Sequence, residues 1–387
     1  MTKDRRKKVL VIGMLNSIHF SNWLIRFRDE EIDFYLYPSR QYKSLDPQLK
    51  SLMSANHSAT YNLVRNFPLA SLRNQIDFLL ETKWLKWLVP KFRVKALAKF
   101  ISGNSPDFIH CLEIQNAGYL ILELNSELLS ESKVIVTNWG SDIYYFARFE
   151  EHKTKIRNVL NLADRYSAEC FRDYELAANL GFLGENLPLI PNSFINYPSS
   201  SITSHSIAST RSWVTIKGYG GQFGRAQFAI GAIESLLLYG TDLYFFFYSI
   251  TPDVEESILE LQSKFPDRVK FCTVNNKISK EEMKDWFAKS RIYIGCSISD
   301  GVSTSFLEAL QQGCYPIQTN TSCASEWVAK GAVASIIEPS QKELWVELLK
   351  AVQNDELVNH AQIENNKIAN EYLDFPGLIT KSRLFYE

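Results

Sequence analysis

The strongest constraint in this sequence is an alternation, met twice, of short apolar runs with longer segments of helical spacing. Residues 9–15 and 33–38 are apolar runs separated by residues 22–31, whose apolar positions recur at helical intervals. Residues 107–111 and 133–137 repeat the pattern, with 117–129 as the predicted helix between them. A second series follows at 213–216, 243–248, 269–274 and 292–296, each run leading into a helical or turn segment. Strands joined through helices run parallel and are covered on both faces. The predicted class is therefore α/β, and 387 residues are enough for two cores.

The break between the series falls at residues 196–211, rich in Ser, Thr and Pro and poor in large apolar residues, as a linker is. The expected division is a first domain over 1–195, a linker over 196–211, a second domain over 212–365, and a segment, 366–387, that packs back toward the first domain. No period of repeat length recurs.

Charge and cysteine usage exclude several classes. Lys and Arg total 42 against 43 Asp and Glu, so the chain lacks the basicity of one that lives on nucleic acid. The six cysteines have no CxxC pair and no Cys/His cluster at zinc spacing, and read as reduced, mostly buried thiols. The charged N-terminus is followed only by the run 9–15 with no small-residue cleavage site, so that run reads as a first strand. No stretch approaches the roughly 18–20 apolar residues of a spanning helix. A cytoplasmic protein is expected, with one qualification. Residues 83–99 interleave Lys83, Lys86, Lys91, Arg93, Lys95 and Lys99 with Trp, Leu and Phe. Such a segment suits the anionic inner face of a membrane, and equally a surface helix with solvated lysines.

Two constellations carry the chemistry. The first is Lys217-Gly218-Tyr219-Gly220-Gly221-Gln222-Phe223-Gly224-Arg225, between a predicted strand and a predicted helix over 227–238. Glycines let a backbone approach a bound group, and a helix N-terminus offers amide donors to an anion. With Lys217 and Arg225 this turn reads as a diphosphate cradle or as a tight turn with solvated cations; it is not a Walker loop. The second follows the run 292–296: Asp300-Gly301-Val302 in a loop, Ser303-Thr304-Ser305 at a helix start, Glu308 inside the helix, and Gly313 at its end. A loop acid and a helix acid at this spacing can hold two ends of a polyhydroxylated ligand, since carboxylates accept hydrogen bonds from vicinal hydroxyls. They can also be a helix-start acid and a solvated Glu308.

The acid-x7-acid stretch from Asp300-Gly301 to Glu308-Ala309-Leu310, closed by Gly313-Cys314-Tyr315-Pro316-Ile317, resembles glycosyltransferase family 4, retaining enzymes of the two-domain GT-B architecture. Lys217-Gly218-Tyr219 with Gly224-Arg225-Ala226 resembles a variant found in the family's polysaccharide-building members. Trp139-Gly140-Ser141-Asp142 looks like its first-domain loop facing the cleft, and Ser325-Glu326-Trp327 like a further loop near the nucleotide. The resemblance implies two Rossmann-like domains facing across a cleft and hexosyl transfer, with retention, from a nucleotide-diphosphate sugar to a saccharide or lipid-linked saccharide. It implies catalytic roles for Asp300, Lys217 and Arg225: the two cations neutralise the diphosphate and Asp300 contacts the transferred sugar, near the amides of Gly301, Val302 and Ser303. Gly218 and Glu326 would line the donor site and Glu308 would bind the ribose. No metal or other cofactor is expected. In three places the chain departs from the family pattern: Asp300 stands for the usual Glu, Trp139 for a His, and Thr321-Ser322-Cys323 for a Gly-Gly pair.

Of the six histidines, His19 follows the first strand and is a candidate acceptor or donor contact beside Trp139, Gly140, Ser141 and Asp142. His110, at a strand end, reads as a core or cleft-edge residue. Other classes remain open at this level: a sugar-nucleotide epimerase on the same frame, short here of acid/base residues, or a silent nucleotide-sugar-binding protein, which would be expected to lose Lys217, Arg225 and Glu308.

Overall fold

The structure is a computed structural model that describes residues 5–64, 85–192, 194 and 206–387. The described chain forms two compact units: residues up to Phe194 with Leu378–Glu387, and residues 206–377. Each is built on an all-parallel sheet.

In the first unit the strands are β1 (Lys7–Gly13), β2 (Ile32–Pro38), β3 (Thr60–Leu63), β4 (Phe108–Leu112), β5 (Lys133–Thr137), β6 (Arg165–Ser167) and β7 (Glu185–Asn186), in the order β3-β2-β1-β4-β5-β6-β7. In the second they are β8 (Trp213–Lys217), β9 (Tyr244–Ile250), β10 (Val269–Thr273), β11 (Ser290–Gly295), β12 (Tyr315–Thr319) and β13 (Ser335–Ile337), in the order β10-β9-β8-β11-β12-β13. Central strands such as β4 and β12 are buried along their whole length, because helices cover both faces. Strand order reverses between β1 and β4 and again between β8 and β11. In open α/β sheets ligands gather at the carboxyl ends of the strands at such a switch point.

The strands fall where the apolar runs place them; some connections do not. The helix expected over 22–31 begins earlier, as Ile18–Ile25, because the Ser17 side chain caps it by accepting from the His19 amide. The single helix expected over 117–129 is a π-helical turn, Ile114–Gly118, then two short turns, Tyr119–Leu122 and Ser126–Leu129. The Asn125 side chain interrupts it by capping a new start, accepting from Glu127 N, and Glu113, with φ +126, precedes the π-helical turn. Backbone geometry of this kind is not encoded in apolar spacing.

The domain ends also shift. Residues 206–211 belong to the packed second unit: Ala208 and Ser209 donate their amides to Gln362 and Asn359, and buried Arg211 donates to the Ser290 and Gln312 carbonyls. Residues 196–205 of the expected linker lie outside the described residues. Residues 366–377 stay with the second unit, because the helix Asp355–Tyr372 is pinned by buried Asn365, whose amide donates to the Cys314 and Val333 carbonyls. Leu378–Glu387 belong to the first unit.

The helix Leu85–Asn104 covers most of the basic segment; residues 83–84 lie outside the described residues. Leu97 and Ile101 face the core while Lys91, Lys95 and Lys99 are exposed. Arg93 is not a surface cation. Its Nη2 donates to the Pro38 carbonyl at 2.7 Å, and Tyr37 Oη donates to the Arg93 carbonyl at 2.7 Å. No helix among the described residues is long and apolar enough to cross a membrane. Cys111, Cys272, Cys296 and Cys314 are free and buried.

Candidate active site

The carboxyl ends of β8 and β11 bring together three of the residues singled out by sequence. Lys217 closes β8, and its Nζ stands 3.5 Å from Asp300 Oδ2, in the loop after β11. Withdrawal from water works against the Lys217 charge, but Asp300 and the nearby Tyr293 and Tyr219 oxygens outweigh it, so its pKa lies above the ordinary value. Glu308 projects from the helix Thr304–Gln311 into the same field: burial lifts its pKa to about 7, with Lys280 and Lys217 pulling it back. The helix starts at Ser303, whose side chain makes no capping bond, and ends before Gly313, which has φ +68. One cation and two acids, one of them poised near neutrality, form an arrangement suited to a polar anionic ligand.

The glycine turn behaves differently from the cradle its spacing suggests. Its glycine amides are already used: Gly218 N donates to the Tyr248 carbonyl, Gly220 N to Thr251 Oγ1, Gly221 N to Asp253 Oδ2, and Gly224 N to the Gly220 carbonyl. Arg225 N and Ala226 N donate to the Cys296 and Tyr219 carbonyls. The turn is also zipped to the loop after β11 through a bridge between Gly224 and Ser297. Gly224 is required there, since any Cβ would strike the Tyr219 and Gly220 carbonyls. Arg225 folds back on the turn, its Nη1 donating to the Gly224 carbonyl and, at 3.5 Å, to those of Gly221 and Gln222. The turn thus acts as a rigid support for Lys217. Its helix, Ala226–Tyr239, begins without free amides from Gly224 to Ala226.

The loop after β12 closes the other side: Cys323 N donates to the Gly301 carbonyl at 2.9 Å and Asp300 N to that of Thr321 at 3.3 Å. The chain at Thr321-Ser322-Cys323 therefore braces the Asp300-Gly301-Val302 loop. Glu326, expected in a loop, lies instead in the first turn of the helix Ala324–Ala329.

In the first unit His19 and Trp139 meet edge-on, ring centroids 5.7 Å apart, beyond β1 and β5. Gly140 has φ +79 and Ser141 opens the turn Ser141–Tyr144. Asp142 is turned inward: its Oδ2 accepts from Trp139 N and Ile114 N, each at 3.1 Å, and burial with Glu113 nearby raises its pKa to about 7. That carboxyl holds the loop together. Buried Glu113, which sequence reasoning did not single out, follows β4 and accepts from Ser39 Oγ and Asn116 Nδ2. His110 is a core residue, as its strand position suggests. Burial lowers its pKa to about 3, and the neutral ring is hydrogen-bonded through Nδ1 to Tyr386 Oη (2.8 Å) and through Nε2 to Thr137 Oγ1 (2.7 Å).

Sequence reasoning also passed over Tyr248, Lys280 and Tyr293, which surround Lys217 and Glu308. The two tyrosines looked like strand residues, and only the pairing of strands distant in sequence brings them here.

Residues 8–165 match the family model described as Glycosyl transferase 4-like, and residues 261–369 match Glycosyl transferases group 1. Among solved structures the chain is similar to HepE from Anabaena in complex with UDP and glucose: 13% identity, 98% of this chain and 99% of that one, TM-score 0.67. It is similar to a sucrose-phosphate synthase from Thermosynechococcus elongatus (11%, 98% of each chain, TM-score 0.69). A putative UDP-N-acetylglucosamine 2-epimerase from Listeria monocytogenes shares the fold (11%, 95% of each chain, TM-score 0.61). No curated protein matches the sequence.

Proposed function

Since this chain belongs to the family 4-like glycosyltransferases and has their GT-B fold of two parallel-sheet α/β domains, we propose that it transfers a hexosyl unit, with retention, from a nucleotide-diphosphate sugar to a saccharide or lipid-linked saccharide in polysaccharide synthesis. The observation that carries the donor side is the convergence of Lys217, Asp300 and Glu308 at the β8/β11 switch point. As the bond between sugar and diphosphate breaks, negative charge grows on the leaving phosphate oxygen. A fixed ammonium stabilises that state more than the ground state, which is what accelerates a reaction. Asp300 holds Lys217 and accepts from hydroxyls of the transferred sugar; Glu308 accepts from the ribose hydroxyls. Gly218, Gly301, Val302, Ser303 and Glu326 line the donor, and Arg225 joins the diphosphate once it leaves its own loop carbonyls. His19, Trp139, Gly140 and Ser141 serve the acceptor, with Asp142 organising that loop. These cations take the role a metal plays elsewhere, so transfer is expected to survive a chelator.

UDP is the first nucleotide to test, because the HepE structures hold UDP, UDP-glucose, or UDP and glucose. The experiment is a thermal-shift panel of UDP, GDP, ADP and CMP with their sugars, since a ligand bound only by the native state raises its melting temperature. A selective rise with one nucleoside diphosphate, lost in Lys217→Ala, supports the reading; no rise with any of them overturns it.

Glu308 adds a pH dependence. Its acid form dominates below about 7, and only the carboxylate accepts from two hydroxyls. Nucleotide affinity is therefore expected to climb from pH 5.5 to a plateau above 7.5, and Glu308→Gln to flatten the curve in titration calorimetry. A wild-type curve already flat across that range moves the ribose site elsewhere.

The acceptor's setting is proposed to be the anionic inner face of the cytoplasmic membrane, on the exposed Lys91, Lys95 and Lys99 of the helix Leu85–Asn104. Flotation with anionic liposomes tests it: replacing the three lysines by Gln should abolish co-flotation, and unchanged flotation removes this helix as the anchor.

A further inference from the structure

In the first unit the loop Trp139–Asp142 leads directly into a run of six residues, Tyr144 to Phe149, of which four are aromatic. The run spans the end of the turn Ser141–Tyr144, the short 3₁₀ turn Phe146–Arg148, and Phe149, which starts the helix Glu150–Leu162. Its rings pack chiefly on one another. Tyr145 meets Phe146 and Phe149, each with centroids 5.4 Å apart. Phe146 and Phe149 both meet His152, at 4.9 and 6.4 Å. Phe146 roots the group in the core of the unit, while Phe149, at the outer end, is 48% exposed. Aromatic clusters of this kind at a surface mark a place where something binds.

Arg148 adds a charge to this surface. Its Nε donates to the Tyr144 carbonyl at 3.1 Å, and its guanidinium stands 4.6 Å from the centre of the Tyr144 ring and 5.9 Å from that of Tyr145. One hydrogen bond and two ring contacts hold the guanidinium plane in place while the residue stays exposed. The charges around it are spent on each other. Glu150 pairs with Lys153 at 3.8 Å and Glu151 with Lys155 at 2.7 Å. Arg172, which approaches the Tyr144 ring at 4.0 Å, pairs with Asp173 at 2.8 Å. Arg148 has no carboxylate partner among the described residues. It and Phe149 lie against the same Tyr145 ring, so one exposed aromatic ring and one open cation share a neighbour.

We propose that Arg148 and Phe149 form a subsite for an acidic saccharide acceptor, Phe149 stacking on the C–H face of a pyranose and Arg148 holding the carboxylate of a uronic acid. The C–H face of a pyranose is apolar and slightly positive, and the face of a phenyl ring is apolar and negative, so the two match. A carboxylate presents two coplanar acceptors to the fork of donors on a guanidinium. One open cation balances the single charge of a uronate, whereas a diphosphate would bring more charge than this surface can meet. The part this subsite plays in transfer rests on the glycosyltransferase reading, in which the loop Trp139–Asp142 serves the acceptor; the binding of the acid does not.

The test is titration calorimetry of the full chain with glucuronate- and galacturonate-containing oligosaccharides, each paired with its methyl ester, which keeps the sugar faces and removes the charge. Wild type should bind one or more of the acids about tenfold or more tightly than the ester, as a charge-assisted hydrogen-bonded pair gives. Arg148→Gln should erase that preference and leave binding of the ester as it was. Phe149→Ala should weaken acid and ester alike, by about two- to tenfold. Because Phe149 starts a helix, Phe149→Leu, which keeps the bulk and loses the ring, carries this arm if the alanine variant does not fold. Equal binding of acid and ester, no binding of any acid, a preference that survives in Arg148→Gln, or wild-type affinity in both Phe149 variants overturns the proposal. Inorganic pyrophosphate bound in preference to every uronate, and lost in Arg148→Gln, gives the fork to a phosphate and overturns it too. Titration with UDP, GDP and ADP separates the two readings: acid bound without any nucleotide leaves the subsite and removes the transferase, and nucleotide bound without any acid does the reverse.

Discussion

Lys217→Ala is expected to reduce turnover by about 10²–10³-fold, the range seen when one preorganised donor to a developing oxyanion is removed. Donor affinity should fall less than turnover, because the charge that Lys217 meets grows as the bond breaks. The fold should survive, since Lys217 ends its strand and is partly exposed beside Asp300. Single-turnover rates and thermal melting check both halves of this expectation. Arg225→Ala is a less clean test of charge: its guanidinium holds the carbonyls of its own turn, so its loss should lower the melting temperature as well as transfer. Turnover unchanged in Lys217→Ala but abolished in Arg225→Ala would move the leaving-group cation to Arg225.

Tyr386→Ala is expected to destabilise the first unit by about 3–5 kcal/mol, the usual range for emptying a buried aromatic site. Tyr386 is 1% exposed and packs against Phe27, Phe34, Phe108 and His110, with ring centroids 5.0–5.8 Å away. Its hydroxyl accepts from Trp23 Nε1 at 3.0 Å and is hydrogen-bonded to His110 Nδ1, so truncation also leaves two buried nitrogens without partners. The backbone is tied as well, Lys7 Nζ donating to the Tyr386 carbonyl and Arg165 Nη1 to that of Phe385. Calorimetry should show the transition of this unit falling by about 10 °C. A shift of about 1 °C would mean that the last residues do not contribute to its core.

His110 gives that core a pH signature. Its folded pKa, about 3, lies below the ordinary value of 6.5 because the ring is buried. The unfolded chain therefore takes up a proton that the folded one refuses. This contribution to stability is complete above about 6.5 and is lost as pH falls from there toward 3. Melting at pH 5 should be lower than at pH 7.5, and His110→Gln should reduce the difference.

What the sequence by itself determined was local. Apolar runs alternating with helical segments are enough to require two parallel sheets, because each strand and its helix are specified by neighbours a few residues away. The stretch from Asp300 through Glu308 to Gly313 was legible for the same reason: a strand end, a loop, a helix start and a helix stop each have residue signatures. Tertiary structure decided what depends on strands far apart in the chain. The pairing of β8 with β9 and β11 sets Tyr248 and Gly295 beside Lys217, and no local pattern near residue 217 announces either. It also decided how polar groups were used. Arg225 and Asp142 read as ligand contacts because their types and loops suit that role, yet in the fold each satisfies nearby backbone groups first. Which amides and carbonyls lack a partner is known only once the whole backbone is in place, and a charged side chain goes to them unless a stronger partner holds it.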